Sequence, residues 1–361
     1  MEDLKINDSL IPLSMMHNPK RPYVHSSFRQ KRYINKFNKD VLSGKISFET
    51  ISCLCNNKEF SLIASVDRYS MLQKTVICTK CGLILSNPRM TEQQYRIFYT
   101  SDVYRNCYES HNFLKKYKSF YNLNYGKIIF DTVCKVKNLE NIHSVLEIGA
   151  GGGWNLLPFK SEGILVKGYD YSKSLVEMGK GYGLDLVNGS VNDIEGTFDL
   201  IIVNHVAEHF SNPIDSLEKI KKHLNPKGII YIAVPDIKNF SIGQIQNAHT
   251  YYFNLATLQY YMSKAGLKMI YSEPAEVIHL ASIFSESTEN MPNSFLDKNY
   301  EYTANIIEKY RYSLENRNFI VKIIAELLSI VGLKELAGKF LIWAKRIVKI
   351  GTDSLKHKWK I

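Results

Sequence analysis

The chain has 361 residues, of which 45% are hydrophobic and 12% aromatic, so it is long enough for two or three domains with buried cores. Its six cysteines are too few for a disulfide framework, no apolar run predicts a signal peptide or a membrane span, and we expect a cytoplasmic protein. Lysine dominates the formal charge of +11, which we interpret as a solvated surface rather than a nucleic-acid interface.

The first 105 residues divide into two segments. Residues 1–50 form a polar, basic extension, in which Arg29 to Leu42 predicts a helix that ends at Gly44. Residues 51–105 predict a small module of short strands and turns around cysteines, followed by a short helix that Thr91 caps. One or two helices between Glu109 and Leu139 then lead into the next domain.

Strands alternate with helices from Ser144 onward, within a domain that we assign to residues 106–285. The predicted strands are Ser144–Ile148, Ile164–Tyr169, Leu186–Asn188, Phe198–Asn204 and Gly228–Val234. The predicted helices between them include Ser172–Lys180 and Pro213–Leu224. This alternation indicates an α/β fold with a doubly wound, mostly parallel sheet, whose ligands bind beyond the carboxyl ends of the strands.

The turn after the first predicted strand is rich in glycine. It contains an E-x-G-x-G-x-G string made by Glu147, Gly149, Gly151 and Gly153. Glycine allows positive φ and a close approach of backbone to ligand, and the helix that follows offers unpaired N–H groups. Trp154 stands where the third glycine of the dinucleotide-binding fingerprint belongs, so that fingerprint fails.

This string resembles motif I of the class I S-adenosylmethionine-dependent methyltransferases, and later landmarks continue the resemblance in order. They are Asp170, Asn192-Asp193, the Phe198–Phe210 stretch with Glu208-His209, Asn212-Pro213, Leu224–Gly228 and Val234-Pro235-Asp236. The resemblance implies a Rossmann-like fold and S-adenosylmethionine as cofactor, with Glu147 at the methionine end, Asp170 on the ribose hydroxyls and Asp193 near the adenine. The implied cofactor-binding residues are Glu147, Gly149, Gly151, Gly153, Asp170, Tyr171, Asp193 and Asn204.

Four cysteines lie in two closely spaced pairs. Cys78 and Cys81 have the C-x2-C spacing that suits tetrahedral zinc, whereas Cys53 and Cys55 form a shorter C-x-C pair. With Gly82 to Arg89, the segment resembles the N-terminal zinc-ribbon module of some methyltransferases, including sugar C-methyltransferases. The resemblance implies a structural zinc ion on these four cysteines, and the alternative is a metal-free remnant that packs on the main domain. Cys107 and Cys134 lack paired spacing and are expected to be ordinary buried thiols.

The segment from His249 to Phe253 resembles the EH-x-x-Y-F segment of sugar C-methyltransferases, in which the histidine is the proposed base. Ala248 stands in place of the glutamate, so the partner carboxylate of this histidine is missing. We predict His249, His209 and Tyr252 as residues of the catalytic site, with His209 in a positioning role. The alternative is that His249 braces its loop and that Tyr252 only packs.

The acceptor class follows partly by exclusion. Residues Asn204 to Ala207 lack the [DN]-P-P-[YF] string of enzymes that methylate exocyclic base nitrogens, and the chain contains no Pro-Cys dipeptide like that of cytosine C5 enzymes. The resemblance to sugar C-methyltransferases then implies a small-molecule acceptor, namely a sugar or a glycan or lipid-linked precursor, methylated on oxygen or carbon. The alternatives are an RNA methyltransferase and a non-catalytic module that binds the cofactor or a partner.

The C-terminal region, residues 286–361, predicts basic helices. Between Lys334 and Ile361, lysine and arginine alternate with apolar residues such as Trp343 and Ile347, as in a helix that lies on an anionic bilayer. One interpretation is therefore peripheral contact with the inner face of a membrane through residues 334–361. The other is a terminal helix that packs on its own domain or on a second subunit.

Overall fold

The computed structural model describes residues 5–7, 22–24, 26–108, 120–273 and 279–313. The chain divides into two compact units, Met1–Ala304 and Asn305–Ile361. Residues 299–313 are helical, whereas the basic helices predicted from Asn316 onward lie outside the described residues, so membrane contact through residues 334–361 stays a prediction. Within the described ranges, no helix is long and apolar enough to span a bilayer.

The N-terminal part of the first unit is a small module of helices and strands. Its elements are β1 (Lys5–Asn7), α1 (Phe28–Leu42), β2 (Phe48–Glu49), β3 (Glu59–Val66), β4 (Leu72–Cys78), β5 (Ile84–Ser86), β6 (Arg89–Met90), α2 (Glu92–Thr100) and α3 (Asp102–Cys107). The helix expected after Arg29 is present as α1, which Ser27 and Gln30 open with a capping box. Thr91 caps α2 as predicted, by accepting a hydrogen bond from the backbone of Gln94.

The rest of the unit builds a seven-stranded sheet with flanking helices. Its elements are α4 (Phe120–Cys134), β7 (Ser144–Ile148), α5 (Leu157–Ser161), β8 (Leu165–Asp170), α6 (Lys173–Lys180), β9 (Asp185–Asn188), β10 (Phe198–Asn204), α7 (Pro213–Lys221), β11 (Leu224–Pro235), β12 (Tyr251–Tyr252), α8 (Leu255–Lys264), β13 (Leu267–Ser272) and β14 (His279–Glu286). Of these, β12 belongs to the sheet of the module.

The strand order in the large sheet is β13-β14-β11-β10-β7-β8-β9. The five strands from β11 to β9 are mutually parallel, and β14 runs antiparallel to both of its neighbours. The predicted doubly wound, mostly parallel α/β fold is therefore confirmed. The order changes direction at β7, so the turn after this strand lies where ligands bind in such sheets.

The central strand β10 shows why the sheet is buried on both sides. Ile201 and Val203 point into one hydrophobic cluster, whereas Leu200 and Ile202 point into another. The first cluster also contains Phe60 and other apolar side chains of the module, so the module packs directly on this face of the sheet. The two parts therefore share a core.

A strand from the main domain completes the sheet of the module. β12 pairs antiparallel with β5, and the sheet order is β1-β3-β4-β5-β12. Nearby, the buried Arg89 guanidinium donates to the carbonyl of Ser211 at 2.5 Å, to the hydroxyl of Tyr251 at 3.1 Å and to Glu49 at 2.9 Å. The segment expected to carry the acceptor site is thus bound to the module by backbone and side-chain hydrogen bonds.

Two predictions were wrong in detail, and two strands were not predicted. The predicted helix from Pro213 ends at Lys221 rather than Leu224, because Leu224 already pairs with Phe198 as the start of β11. Strands β13 and β14 were not expected, since neither their periodicity nor their turn residues stand out. Cys107 is buried as predicted, but Cys134 is exposed, so that expectation was wrong.

Candidate functional site

The glycine turn after β7 depends on backbone conformations that side chains disfavour. Gly149, Gly151 and Gly153 have φ values of 66°, 56° and 75°. A Cβ atom on Gly149 would lie 2.4 Å from Cγ2 of Val206, so only glycine leaves room for that side chain. The turn therefore contacts the segment that follows β10.

Glu147, one of the predicted cofactor residues, is buried at the end of β7. The side-chain amide of Asn155 donates to its Oε1 at 2.7 Å, and its Oε2 has no hydrogen-bond partner among the described residues. Burial away from water raises the pKa of this carboxyl to about 8, despite the hydrogen bond from Asn155. A buried acceptor atom without a partner indicates a place for a cationic or hydrogen-bonding ligand.

Asp170 at the end of β8 connects the glycine turn to the next helix. Its Oδ2 accepts from the backbone N–H of Gly151 at 2.8 Å, and its Oδ1 accepts from that of Ser172 at 2.7 Å. Burial raises the pKa of this carboxyl, and the two backbone hydrogen bonds oppose that shift. Each oxygen keeps a lone pair that can accept from a diol. The neighbouring Tyr171 is 57% exposed at the surface.

An open cleft of about 510 Å³ lies beside the ends of β8 and β9. Its lining residues are Lys167, Tyr169, Val187, Asn188, Asn192, Asp193, Ile194 and Glu195. The predicted adenine neighbour Asp193 is therefore in a cleft, where its Oδ2 accepts 2.7 Å hydrogen bonds from the backbone and side chain of Ser190. The remaining predicted residue, Asn204, ends β10 with its buried Oδ1 lacking a partner within the described chain.

A cluster of histidines surrounds a buried carboxylate just after β10. Glu208 is 1% exposed, and its Oε1 lies 3.3 Å from Nδ1 of His205 and 4.0 Å from Nε2 of His209. Although burial alone would raise it, the pKa of Glu208 falls to about 2, because the neighbouring histidines stabilise the carboxylate. His279, from β14, stacks edge to face on His205 with ring centroids 4.3 Å apart.

His249 enters this cluster from the loop before β12. Its ring packs on that of His209 with centroids 4.9 Å apart, and it is 5% exposed. The side-chain amide of Gln246 bonds its Nε2, whereas its buried Nδ1 has no partner among the residues that the structure describes. Burial holds the pKa of His249 well below its ordinary value, so the ring is neutral.

Glu208 brings a carboxylate close to His249, whereas Ala248 beside that histidine has none. One ligand-type atom from each of Glu208, His209 and His249 lies within 4.8 Å of the others. Sequence reasoning missed Glu208 as a site residue although it stands in the quoted Glu208-His209 pair. Only the fold shows that the loop carrying His249 folds back onto the end of β10.

The predicted residue Tyr252 is buried next to the cluster rather than open to a cleft. Its hydroxyl accepts from the backbone N–H of Gln246 at 3.2 Å and donates to the carbonyl of the same residue at 3.3 Å. Its ring packs on His249 with centroids 5.5 Å apart. In this arrangement Tyr252 supports the His249 loop.

The four module cysteines come together in one cluster. The sulfur atoms of Cys53 and Cys81 are 3.5 Å apart, those of Cys55 and Cys78 are 3.6 Å apart, and all four lie within 4.8 Å of one another. Zinc–sulfur bonds of about 2.3 Å in a tetrahedron place sulfur atoms about 3.8 Å apart, which fits these distances. The C-x-C spacing of the first pair therefore does not prevent a four-thiolate metal site.

One family model matches part of the chain. Residues 112–272 match the model of a family described as a methyltransferase domain. No curated protein sequence matches the chain.

Several solved structures are similar to part of the chain. The 1,6-didemethyltoxoflavin-N1-methyltransferase of Burkholderia thailandensis aligns over 57% of this chain and 96% of its own, with 18% identity and a TM-score of 0.45. The magnesium protoporphyrin IX methyltransferase of Synechocystis PCC 6803 aligns over 53% and 95%, with 14% identity and a TM-score of 0.40. The CcbJ methyltransferase of Streptomyces caelestis aligns over 45% and 90%, with 13% identity and a TM-score of 0.39.

Proposed function

We propose that this chain, an S-adenosylmethionine-dependent methyltransferase whose matched domain covers residues 112–272, methylates oxygen or carbon of a sugar or of a glycan or lipid-linked precursor. The observation that carries the proposal is the contact between Val206 and Gly149, which places the histidine cluster next to the glycine turn. Groups that can activate an acceptor thus lie beside the turn that would receive the cofactor.

The residues around the glycine turn fit the cofactor. Oε2 of Glu147 is a buried acceptor without a partner in the described chain, and it would bind the ammonium group at the methionine end. The remaining lone pairs of Asp170 would accept from the ribose hydroxyls, and Asp193 lines the cleft in which the adenine would lie. Asn204 stands at the end of β10, and Tyr171 directly follows β8; both strands pair with β7. When bound, the cofactor supplies a sulfonium methyl group that is already activated for transfer.

The histidine cluster would activate the acceptor. An alcohol or a carbon acid becomes a nucleophile only when its proton is removed, and His249 and His209 are groups of this cluster that can promote that removal. The charge of Glu208 stabilises positive charge on this cluster, which makes proton removal less costly. Tyr252 would hold the His249 loop in place.

The boundary between the module and the His249 loop suits a polar acceptor. Both side-chain polar atoms of Asn247 are buried and lack partners among the described residues, as do Oγ1 of Thr75 and Oε1 of Gln73. The backbone N–H of Asn247 is itself bound to the hydroxyl of Tyr108 in the module, at 3.1 Å. Buried polar atoms are normally paired, so we expect hydroxyl groups of the acceptor or ordered water at these atoms.

The four-cysteine cluster would hold a structural zinc ion. All of its ligand positions are filled by Cys53, Cys55, Cys78 and Cys81, and Cys53 and Cys81 are only 2% exposed, which leaves no open position for a substrate. The hydroxyl of Tyr261, from α8, donates to Sγ of Cys81 at 3.1 Å. The zinc site would therefore stabilise the contact between the module and the main domain.

Transfer of labelled methyl groups tests the proposal. Purified protein is incubated with labelled S-adenosylmethionine and either a panel of nucleotide sugars and glycan precursors or total RNA. Labelled sugar products of the expected mass would support the proposal, whereas labelled RNA alone would replace it with the RNA alternative. Calorimetric titration with S-adenosylhomocysteine, with NADH as control, tests the cofactor. Failure to bind at high micromolar concentration would favour a non-catalytic module.

A further inference from the structure

Three potential metal-ligand atoms from different residues converge in the histidine cluster. They are a carboxylate oxygen of Glu208 and one ring nitrogen each of His209 and His249. Oε2 of Glu208 and Nδ1 of His249 are buried, and neither has a partner among the residues described. Several buried acceptors without donors are costly, because each has lost its hydrogen bonds to water.

The partners of the other ring nitrogens hold both imidazoles in one orientation. Nδ1 of His209 lies 2.7 Å from the carbonyl oxygen of Ala248, which can only accept, so this nitrogen carries the proton and Nε2 carries the lone pair. The hydroxyl of Tyr99 donates to the same carbonyl at 2.9 Å. The side-chain amide nitrogen of Gln246 lies against Nε2 of His249. Turning this amide by 180° presents its oxygen instead, which accepts from the N–H at Nε2 and leaves the lone pair of the ring on Nδ1.

We propose that Glu208, His209 and His249 bind a divalent transition-metal ion of the zinc class. Two imidazoles and one carboxylate form a ligand set that leaves coordination positions open, and hydrogen bonds from the far ring nitrogens to a carbonyl and an amide are typical of metal-bound histidine. One bound ion would provide a partner for all three converging atoms. It would also balance the buried negative charge of Glu208.

The inference rests on the proposed function, because it specifies how the cluster acts on the acceptor. An acceptor hydroxyl that fills an open position on the ion becomes more acidic and gives its proton to water, and the oxygen is left as the nucleophile. In this arrangement His209 and His249 act as ligands rather than as proton acceptors. The four-cysteine cluster, by contrast, has no open position and takes no part in the transfer.

Metal content and cobalt spectra of the full-length chain test the inference. Metal-free protein is prepared with a chelator, titrated with Zn²⁺ or Co²⁺, and freed of unbound ion before mass-spectrometric analysis. We expect about two ions per wild-type chain and about one in His249→Ala and Glu208→Gln. The second Co²⁺ ion, which these variants should no longer bind, has no sulfur ligand in the wild type. Its loss should therefore leave the thiolate-to-metal absorption of the four-cysteine site unchanged. His143→Ala, which removes an exposed histidine, should keep both ions.

Equal metal content in wild-type, His249→Ala and Glu208→Gln protein would overturn the inference. Glu208→Gln preserves the shape of the side chain, so it remains informative if His249→Ala does not fold. Methyl transfer to sugars by protein that holds only the four-cysteine ion would overturn the inference but leave the proposed function intact. Two bound ions without any transfer to sugars would support the metal site and overturn the proposed acceptor.

Discussion

The proposed cofactor site and the histidine cluster are assembled in different ways. Glu147, the glycine turn, Asp170 and Asp193 belong to one run of consecutive strands and turns, and each stands at or just after the end of a strand. The histidine cluster combines residues that follow β10 with His249 from the loop before β12 and with Tyr99 from the module. The first site is therefore a property of the α/β fold itself, whereas the second exists only where the module packs on that fold.

Replacing His249 should have the largest effect, and it should impair acceptor activation without impairing cofactor binding. We expect His249→Ala to lower kcat about 10²- to 10⁴-fold, since activation of an acceptor proton contributes on this scale. The affinity for S-adenosylhomocysteine should not change, because the residue does not touch the glycine turn. Steady-state kinetics with a labelled sugar acceptor and calorimetry measure the two quantities. His143→Ala serves as control, and a variant with unchanged kcat would remove His249 from the acceptor site.

Replacing Asp170 should have the opposite effect, because it should weaken cofactor binding rather than acceptor activation. Asp170→Ala removes the acceptor of two backbone hydrogen bonds and the proposed partner of the ribose hydroxyls, so cofactor affinity should fall roughly 100-fold. Calorimetric titration with S-adenosylhomocysteine measures this loss. Asp185→Ala, on the neighbouring strand β9 and exposed, should bind as the wild type does. Equal affinities of the two variants would show that Asp170 does not contribute to cofactor binding.

The histidine cluster depends on the contact between the module and the main domain. Replacing Arg89 should weaken this contact. Arg89→Ala removes the charged donor to the hydroxyl of Tyr251 and to the carbonyl of Ser211, which keeps only a 3.3 Å hydrogen bond from Tyr251, so the free energy of unfolding should fall by about 2–3 kcal/mol. Denaturant titration measures this change. Arg96→Ala, which removes an exposed ion pair with Glu92, should cost less than about 1 kcal/mol. A similar cost for both variants would mean that Arg89 does not connect the module to the main domain.

The smallest expected effect is a change in bound protons at Glu147. The pKa of this carboxyl is about 8 without ligand, so it is mostly protonated at pH 7, whereas a bound ammonium group favours the carboxylate. Cofactor binding at pH 7 should therefore release about one proton, and affinity should rise with pH until about pH 8. Calorimetry in buffers of different ionisation enthalpy counts the protons. Glu147→Gln should release none, and equal release by both proteins would contradict the assignment.

The part of the site that lies in the α/β fold could be predicted because its signals are local. A buried strand, a glycine turn and a polar residue at the next strand end are neighbours in the chain, and parallel strands bring their carboxyl ends to the same edge of the sheet. The class of fold followed from the alternation of strands and helices. By contrast, β13 and β14 are stabilised by pairing with β11 and with each other, and their own residues show no clear pattern.

The sequence by itself determined the α/β fold, the glycine turn with Asp170 and the set of cysteines, because each depends on spacing along the chain. Only the tertiary structure decided that β12 joins the module, that the C-x-C pair completes a four-thiol cluster and that Glu208 is the carboxylate beside His249. The physical reason is that these contacts close long loops and depend on how the two parts share a core. No local periodicity encodes which distant side chains such packing brings together.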